Sequence, residues 1–318
     1  MTQTAKNYLW KGYLFAAIAE ITYGMNPLFA VPLYENDGMN PDSVVFFRYL
    51  MALPIIAAMV IMRGRRLTIP RFAIVPSIAL GILMALSSLT LFLSYQYMNA
   101  GIASTLLFVY PIIVALIMVL FFKEKISMRL IGCIIVSLVG IALLYKGSDG
   151  ATLDTTGTIF VMGSALSYAI YLVGINHKRM QEIPTLQLTF FMLLFGTVLF
   201  AGRLLSGVEL TMPKVWYHWG NIIGLAVFPT AISFICTTRA IQIIGPMPTA
   251  ILGALEPASA IFFGVTILGQ GITPRDLLGL MLIVAAVTTV IAGAQVTSIL
   301  MRVRRMFPRL PFHPFRKG

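Results

Sequence analysis

Apolar runs of about 20 residues, long enough to cross the hydrocarbon core of a bilayer, recur along the whole chain. Short polar connections, or connections that contain glycine and proline, separate them. The pattern places ten such runs, at residues 13–33, 43–62, 72–98, 101–122, 128–145, 157–176, 185–205, 217–241, 247–268 and 274–293. They predict an all-α membrane protein with ten transmembrane helices, in which consecutive helices pack antiparallel.

The chain also repeats itself. Residues 97–129 align without gaps on residues 243–275, which places Leu106 on Leu252 and Pro111 on Pro257. Ten helices then divide into two halves of five, residues 1–147 and 148–296, followed by a tail at 297–318. Because five is an odd number, the second half enters the membrane from the opposite side. The sequence therefore predicts two inverted five-helix repeats, a construction found in secondary transporters.

Composition and charge support a membrane protein. Of the 318 residues, 58% are hydrophobic, against about 45–50% in soluble domains. The net charge of +12 is unevenly placed, since most of the lysines and arginines fall on the side of the N-terminus and the tail. The positive-inside rule then places both termini in the cytoplasm. We expect the basic tail to rest on anionic lipid headgroups, and we expect no nucleic-acid partner.

Two acids inside apolar runs are candidate functional residues, because an ionised carboxylate in hydrocarbon must pair, stay protonated or face water. Glu20 shares a helical face with Tyr23 and Pro27, and Asn26 lies beside that face. Its expected role is a substrate-amine or proton site, or alternatively a structural ion pair with Arg48. Glu256 precedes Pro257, and it either serves binding or proton coupling, or supports the helix structurally.

Arg48 lies inside the second run, where it either pairs with an acid or recognises a substrate carboxylate through its planar donors. Tyr95, Tyr110, Tyr168 and Tyr171 either line a polar cavity or hold helices together. Three of the prolines within the runs are hinge candidates, because proline removes a helical hydrogen bond. They are Pro27, Pro111 and Pro257. The histidine and cysteine positions predict no metal site, and we expect no cofactor.

Several motifs resemble the EamA branch of the drug/metabolite transporter superfamily: Phe47-Arg48-Tyr49-Leu50-Met51-Ala52, Val109-Tyr110-Pro111, Lys123-Glu124-Lys125 and Leu255-Glu256-Pro257. The resemblance covers essentially the whole chain. It implies a bacterial inner-membrane exporter or permease for amino acids or other small metabolites, with a central cavity between the halves. The chain departs from the family pattern at Gln270, where members commonly carry an acid. A role for an acid at that end of the ninth run is therefore not expected in this chain.

The leading functional prediction is a secondary transporter that exports a small metabolite such as an amino acid by alternating access. The sequence contains no phosphate-binding loop for ATP, so a gradient must supply direction, and proton coupling through Glu256 or Glu20 is a further hypothesis. A nucleotide-sugar or drug carrier of the same fold is the alternative. An intramembrane enzyme is a weaker one, because neither a zinc-binding His-Glu-x-x-His helix nor a Gly-x-Ser-x-Gly nucleophile turn occurs.

Overall fold

A computed structural model describes residues 3–98, 103, 106–123, 126–144, 154–267, 274–275 and 277–290. The predicted basic tail at 297–318, Gln270, residues 124 and 125 of the Lys-Glu-Lys motif and the predicted boundary between residues 147 and 148 lie outside this range.

All regular secondary structure in the described ranges is helical. In chain order the helices are α1 (Gln3–Tyr23), α2 (Asn26–Glu35), α3 (Pro41–Met62), α4 (Arg71–Ser94), α5 (Tyr110–Phe122), α6 (Met128–Leu144), α7 (Thr155–Ile175), α8 (Lys178–Gln181), α9 (Thr185–Leu205), α10 (Trp219–Leu225), α11 (Ser233–Ile244), α12 (Pro246–Leu252), α13 (Leu255–Thr266) and α14 (Leu277–Val290). A single 3₁₀ turn, Trp216–His218, precedes α10, and a π-helical turn, Ala226–Ile232, joins α10 to α11.

Six helical segments are long and apolar enough to cross a membrane: Leu9–Glu35, Pro41–Met62, Arg71–Ser94, Thr155–Ile175, Thr185–Leu205 and Trp216–Ile244. Each coincides with one of the predicted runs. The remaining four runs contain the shorter helices α5, α6, α12 with α13, and α14. The helical membrane class is therefore confirmed, and the arrangement of ten spanning helices stays a prediction.

The distribution of side chains is that of a protein surrounded by lipid. Large apolar residues such as Val75, Phe121 and Leu205 lie on the outside and are exposed. Arg48, Glu20 and Asn26 lie inside and are buried. A polar interior behind an apolar surface suits a hydrocarbon environment, where ionisable groups turn toward the inside of the bundle.

Three apolar runs are broken by two non-helical residues shortly before a proline. The breaks are at residues 24–25, 108–109 and 253–254, and the prolines that follow are Pro27, Pro111 and Pro257. Because proline has no backbone N–H, the carbonyl four residues earlier loses its usual helical partner, and the helix restarts one or two residues before the proline. All three predicted hinge candidates thus lie at interruptions of helices.

The π-helical turn also contains a proline. Pro229 cannot donate to the carbonyl of Leu225, and the hydroxyl of Thr230 donates to that carbonyl instead, at 2.7 Å. The wider turn redirects backbone groups into the bundle. It lies against α3, the helix that carries Arg48.

Helices from the two halves of the chain pack against each other in corresponding pairs. Helix α4 packs on α7, and α1 packs on α11. Helix α5 packs on α7, and α13 packs on α1. If each helix is replaced by its counterpart in the other half, the pair α4–α7 becomes α11–α1, and the pair α5–α7 becomes α13–α1. The pair α3–α9 becomes itself.

At one end of the helices, polar contacts join the connection after α2 to the connection between α9 and α10. Nδ1 of His218 lies 2.7 Å from a carboxylate oxygen of Asp37, and both side chains are buried. Arg203 pairs with Asp42 at 2.6 Å, but its side chain is 41% exposed. The backbone N–H of Asn40 donates to the hydroxyl of Thr211 at 2.9 Å. We call these contacts the loop latch.

The two side-chain pairs of the loop latch are expected to differ in strength. Asp37→Ala leaves the ring nitrogen of His218 buried without its hydrogen-bond partner, and we expect it to destabilise the protein by about 1–3 kcal/mol. Asp42→Ala removes a pair whose guanidinium is well solvated, and we expect about 0–1 kcal/mol. Thermal unfolding of the two purified variants beside the wild type measures the difference, and equal losses would contradict this ranking.

Candidate functional site

Arg48 is the centre of the polar interior and is completely buried in α3. Its Nε donates to the hydroxyl of Thr230 at 2.5 Å, one terminal nitrogen donates to the side-chain oxygen of Asn26 at 3.0 Å, and the other donates to the carbonyl of Pro229 at 3.1 Å. The three acceptors diverge, as the planar guanidinium requires. Arg48 therefore connects the start of α2 and the π-helical turn to α3.

Aromatic rings surround the guanidinium. Its central carbon lies 5.5 Å from the ring centres of Tyr23 and Phe92 and 5.8 Å from that of Phe234. Cations within about 6 Å of an aromatic face are attracted by the ring quadrupole, more strongly when they are removed from water. The rings and the three hydrogen bonds together account for a buried positive charge in this position.

Glu20 and Glu256 lie on neighbouring turns of α1 and α13. The N–H of Gly24 donates to the carbonyl of Glu20, and a side chain at position 24 would come within 2.5 Å of the Glu256 carbonyl. The backbones can approach this closely because Gly24 has no side chain. Glu20 interacts electrostatically with Glu256, and Glu256 with Arg48.

Neither carboxylate forms a hydrogen bond or an ion pair with the part of the chain that the structure describes. The predicted alternative, an ion pair between Glu20 and Arg48, is therefore wrong: the hydrogen bonds of Arg48 go to neutral groups. The guanidinium reaches Asn26 and the π-helical turn instead, because the break after Tyr23 brings Asn26 toward α3.

Three of the predicted tyrosines form one cluster. The rings of Tyr110 and Tyr168 are 4.9 Å apart in an edge arrangement, and those of Tyr168 and Tyr171 are stacked at 5.9 Å. The hydroxyl of Tyr110 is buried and finds no hydrogen-bond partner among the described residues. It lies against Gly253, three residues before Glu256. The tyrosine cluster thus adjoins the turn that carries Glu256.

Tyr95 lies at the end of α4, where its ring is 5.6 Å from that of Phe92, one of the rings around Arg48. The other eight predicted site residues belong to the contacts described above. Sequence reasoning missed Thr230, Pro229, Phe92 and Phe234. The available signal for the first two was the Pro-Thr pair inside an apolar run, where proline frees a carbonyl that a neighbouring hydroxyl can bind.

No three histidine, cysteine or acidic side chains in the described ranges lie close enough to hold a metal ion. Cys133 and Cys236 are buried free thiols. The groups available for chemistry in the site are therefore two carboxylates, several tyrosine hydroxyls and a guanidinium that is hydrogen-bonded to protein groups.

These features define a multi-pass helical membrane protein with an ionisable cluster among broken helices, the arrangement found in small-molecule carriers. The family model of the EamA-like transporter family matches the chain twice, over residues 10–146 and 155–292. The chain belongs to this family, as its motifs indicated.

Several relatives agree with this assignment, and a solved structure shares the fold. The threonine/homoserine exporter RhtA of Escherichia coli K12 is 29% identical over 61% of this chain and 63% of its own length. An uncharacterized transporter of Clostridium kluyveri is 24% identical over 86% of this chain and 91% of its own. The uncharacterized inner membrane transporter YicL of Salmonella typhimurium is 24% identical over 87% and 94%. A crystal structure with 15% identity shares the fold, with a TM-score of 0.75 over 88% of this chain and 96% of the other.

Proposed function

We propose that the protein is a secondary transporter that exports a small metabolite, such as an amino acid, across a bacterial inner membrane. The observation that carries the proposal is the buried cluster of Glu20, Arg48 and Glu256 at the breaks of α1 and α13. Intramembrane ionisable groups are expensive and mark substrate or ion pathways. The similarity to RhtA supports an amino acid as the substrate.

The transport cycle proposed is alternating access of two inverted five-helix halves, residues 1–147 and 148–296. The double match of the family model supports this division, as do the corresponding helix pairs such as α4 with α7 and α1 with α11. The charge pattern of the sequence supports cytoplasmic termini. The helix breaks before Pro27, Pro111 and Pro257 are the proposed points of bending, since the backbone there lacks continuous helical hydrogen bonds.

Counterflow in proteoliposomes tests the transport function. The lumen is loaded with unlabelled threonine, homoserine or a mixed amino-acid pool, and entry of each labelled amino acid from outside is followed. Accumulation in protein-containing vesicles and not in empty ones is the expected result. If no amino acid or other small metabolite exchanges, the transporter proposal fails.

Proton coupling is proposed to run through Glu256. Glu256→Gln keeps the shape of the side chain but removes its titration, so we expect transport to lose its dependence on an imposed pH gradient while exchange of substrate continues more weakly. The matched control is Glu35→Gln, which changes an exposed acid at the end of α2. A gradient dependence that survives Glu256→Gln and also the same change at Glu20 would contradict coupling by these acids.

A further inference from the structure

The two acids and Arg48 leave the polar interior with an unbalanced charge. When both carboxylates are ionised, Glu20 and Glu256 contribute two negative charges and Arg48 contributes one positive charge. An uncompensated charge in an interior of low dielectric is costly. A proton on one of the carboxylates, or one additional bound cation, would restore neutrality.

Arg48 has limited capacity to bind a substrate carboxylate in the way its presence in the second run suggested. Three of its five N–H donors already bond to protein groups, namely Thr230, Asn26 and the carbonyl of Pro229. Aromatic rings cover it on several sides. The unpartnered buried groups among the described residues of this region are the amide nitrogen of Asn26 and the hydroxyls of Tyr110 and Tyr171.

Three groups that can accept hydrogen bonds lie on adjoining turns. They are the carboxylates of Glu20 and Glu256, on helix turns in backbone contact, and the buried hydroxyl of Tyr110. That hydroxyl lies against Gly253, three residues before Glu256, and has no partner in the described part of the chain. A primary ammonium group carries three N–H donors and one positive charge. It matches these acceptors in number and in charge.

We propose that Glu20, Glu256 and Tyr110 together bind the primary ammonium group of the transported compound. The substrate class is then primary amines, and the substrate needs no carboxylate for recognition here. This inference rests on the proposed transport function. It narrows the transported metabolite to compounds that carry a primary amino group. Amino acids, amino alcohols and simple alkylamines all carry it.

The test uses compounds that differ in one group at a time. Binding to the purified full-length protein in nanodiscs is measured by calorimetry for threonine, for threoninol, which lacks the carboxylate, and for N-acetylthreonine, which lacks the ammonium. Phenylalanine, phenethylamine and N-acetylphenylalanine form a second series. In at least one series we expect the amino acid and its amine to bind within about ten-fold of each other, while the acetylated compound does not bind.

Substitutions of the three proposed residues test whether the amine binds at this site. Glu20→Gln and Glu256→Gln are each expected to weaken binding of the amine by at least about ten-fold, and Tyr110→Phe by a smaller factor of about three to ten. Glu35→Gln is the matched control and should bind like the wild type. Monodisperse elution and an unchanged melting temperature show that each variant is folded. Unchanged affinity in both folded acid variants overturns the inference.

The outcomes separate this inference from the transport proposal. If the amino acids and the acetylated acids bind but the amines do not, recognition is through the carboxylate, and the ammonium site is wrong while an amino-acid carrier stands. If nothing in either series binds and counterflow still accumulates another metabolite, only the ammonium site is wrong. If there is neither binding nor counterflow, both proposals fail.

Discussion

Arg48→Leu is expected to abolish transport and to lower the melting temperature by several degrees. The substitution removes three hydrogen bonds and leaves the oxygen of Asn26 and the carbonyl of Pro229 buried without donors. Each unsatisfied buried group costs about 1–3 kcal/mol, so the loss is on the order of 2 to 6 kcal/mol. Glu256 also loses its counter-charge. Counterflow and thermal unfolding of the same preparation measure both effects.

Two further variants separate charge from geometry. Arg48→Lys keeps the charge, but one ammonium cannot reach three diverging acceptors, so we expect intermediate stability and weak transport. Arg71→Gln, at the exposed start of α4, also removes one positive charge and should behave as the wild type. Full transport by a folded Arg48→Leu protein would show that the guanidinium neither holds the broken helix nor balances the acids.

Gly253→Ala is the second substitution for which a large loss is expected. Gly253 lies at the break between α12 and α13, and the hydroxyl of Tyr110 occupies the space that a side chain there would need. The ring of Tyr110 cannot withdraw easily, because it is buried and packed between Phe108 and Tyr168. Overpacking of this kind typically costs about 1–3 kcal/mol. The added methyl also displaces Tyr110 from the two acids, so transport should fall with stability.

A second-site change makes this prediction specific. Tyr110→Phe removes the overlapping oxygen, and in the double variant we expect recovery of part of the melting temperature lost in Gly253→Ala. The recovery is partial because the ring carbon that carried the oxygen would still be 2.8 Å from the new methyl. Gly163→Ala is the control, since nothing lies within 4 Å of a side chain at that position in α7. Equal stability of Gly253→Ala and Gly163→Ala would contradict the packing described for Tyr110.

Hydropathy predicted where the helices lie, but not how they are interrupted. The position of the apolar runs depends only on the thickness of hydrocarbon that the chain must cross, and six runs match long helices directly. The prolines indicated the breaks of the first, fourth and ninth runs. However, Pro32, Pro54 and Pro76 also lie in apolar helices and do not interrupt them. A carbonyl that loses its helical partner at a proline is tolerated when groups of neighbouring helices bond to it. The sequence of one run does not show which helices lie beside it.

The polar site was predictable as a set of residues and not as a network. An ionisable residue in an apolar run is rare and costly, which is why Glu20, Arg48 and Glu256 stood out. Their partners depend on the rotation of each helix and on tertiary contacts. The pairing of Arg48 with Thr230 joins residues far apart in sequence through a π-helical turn, and no local pattern specifies such a turn.

The place of Glu256 along its broken helix has an electrical consequence. In the predicted ninth spanning run, residues 247–268, Glu256 lies ten residues after Pro246, where α12 begins. Ten residues correspond to about 15 Å of helix rise, which is about half of a 30 Å hydrocarbon layer. In such a span, a cation that reaches Glu256 from either side would cross about half of the membrane voltage, or about 1.2 kcal/mol per 100 mV. An inside-negative potential therefore favours occupation from outside, and disfavours occupation from inside, by a factor of roughly seven each.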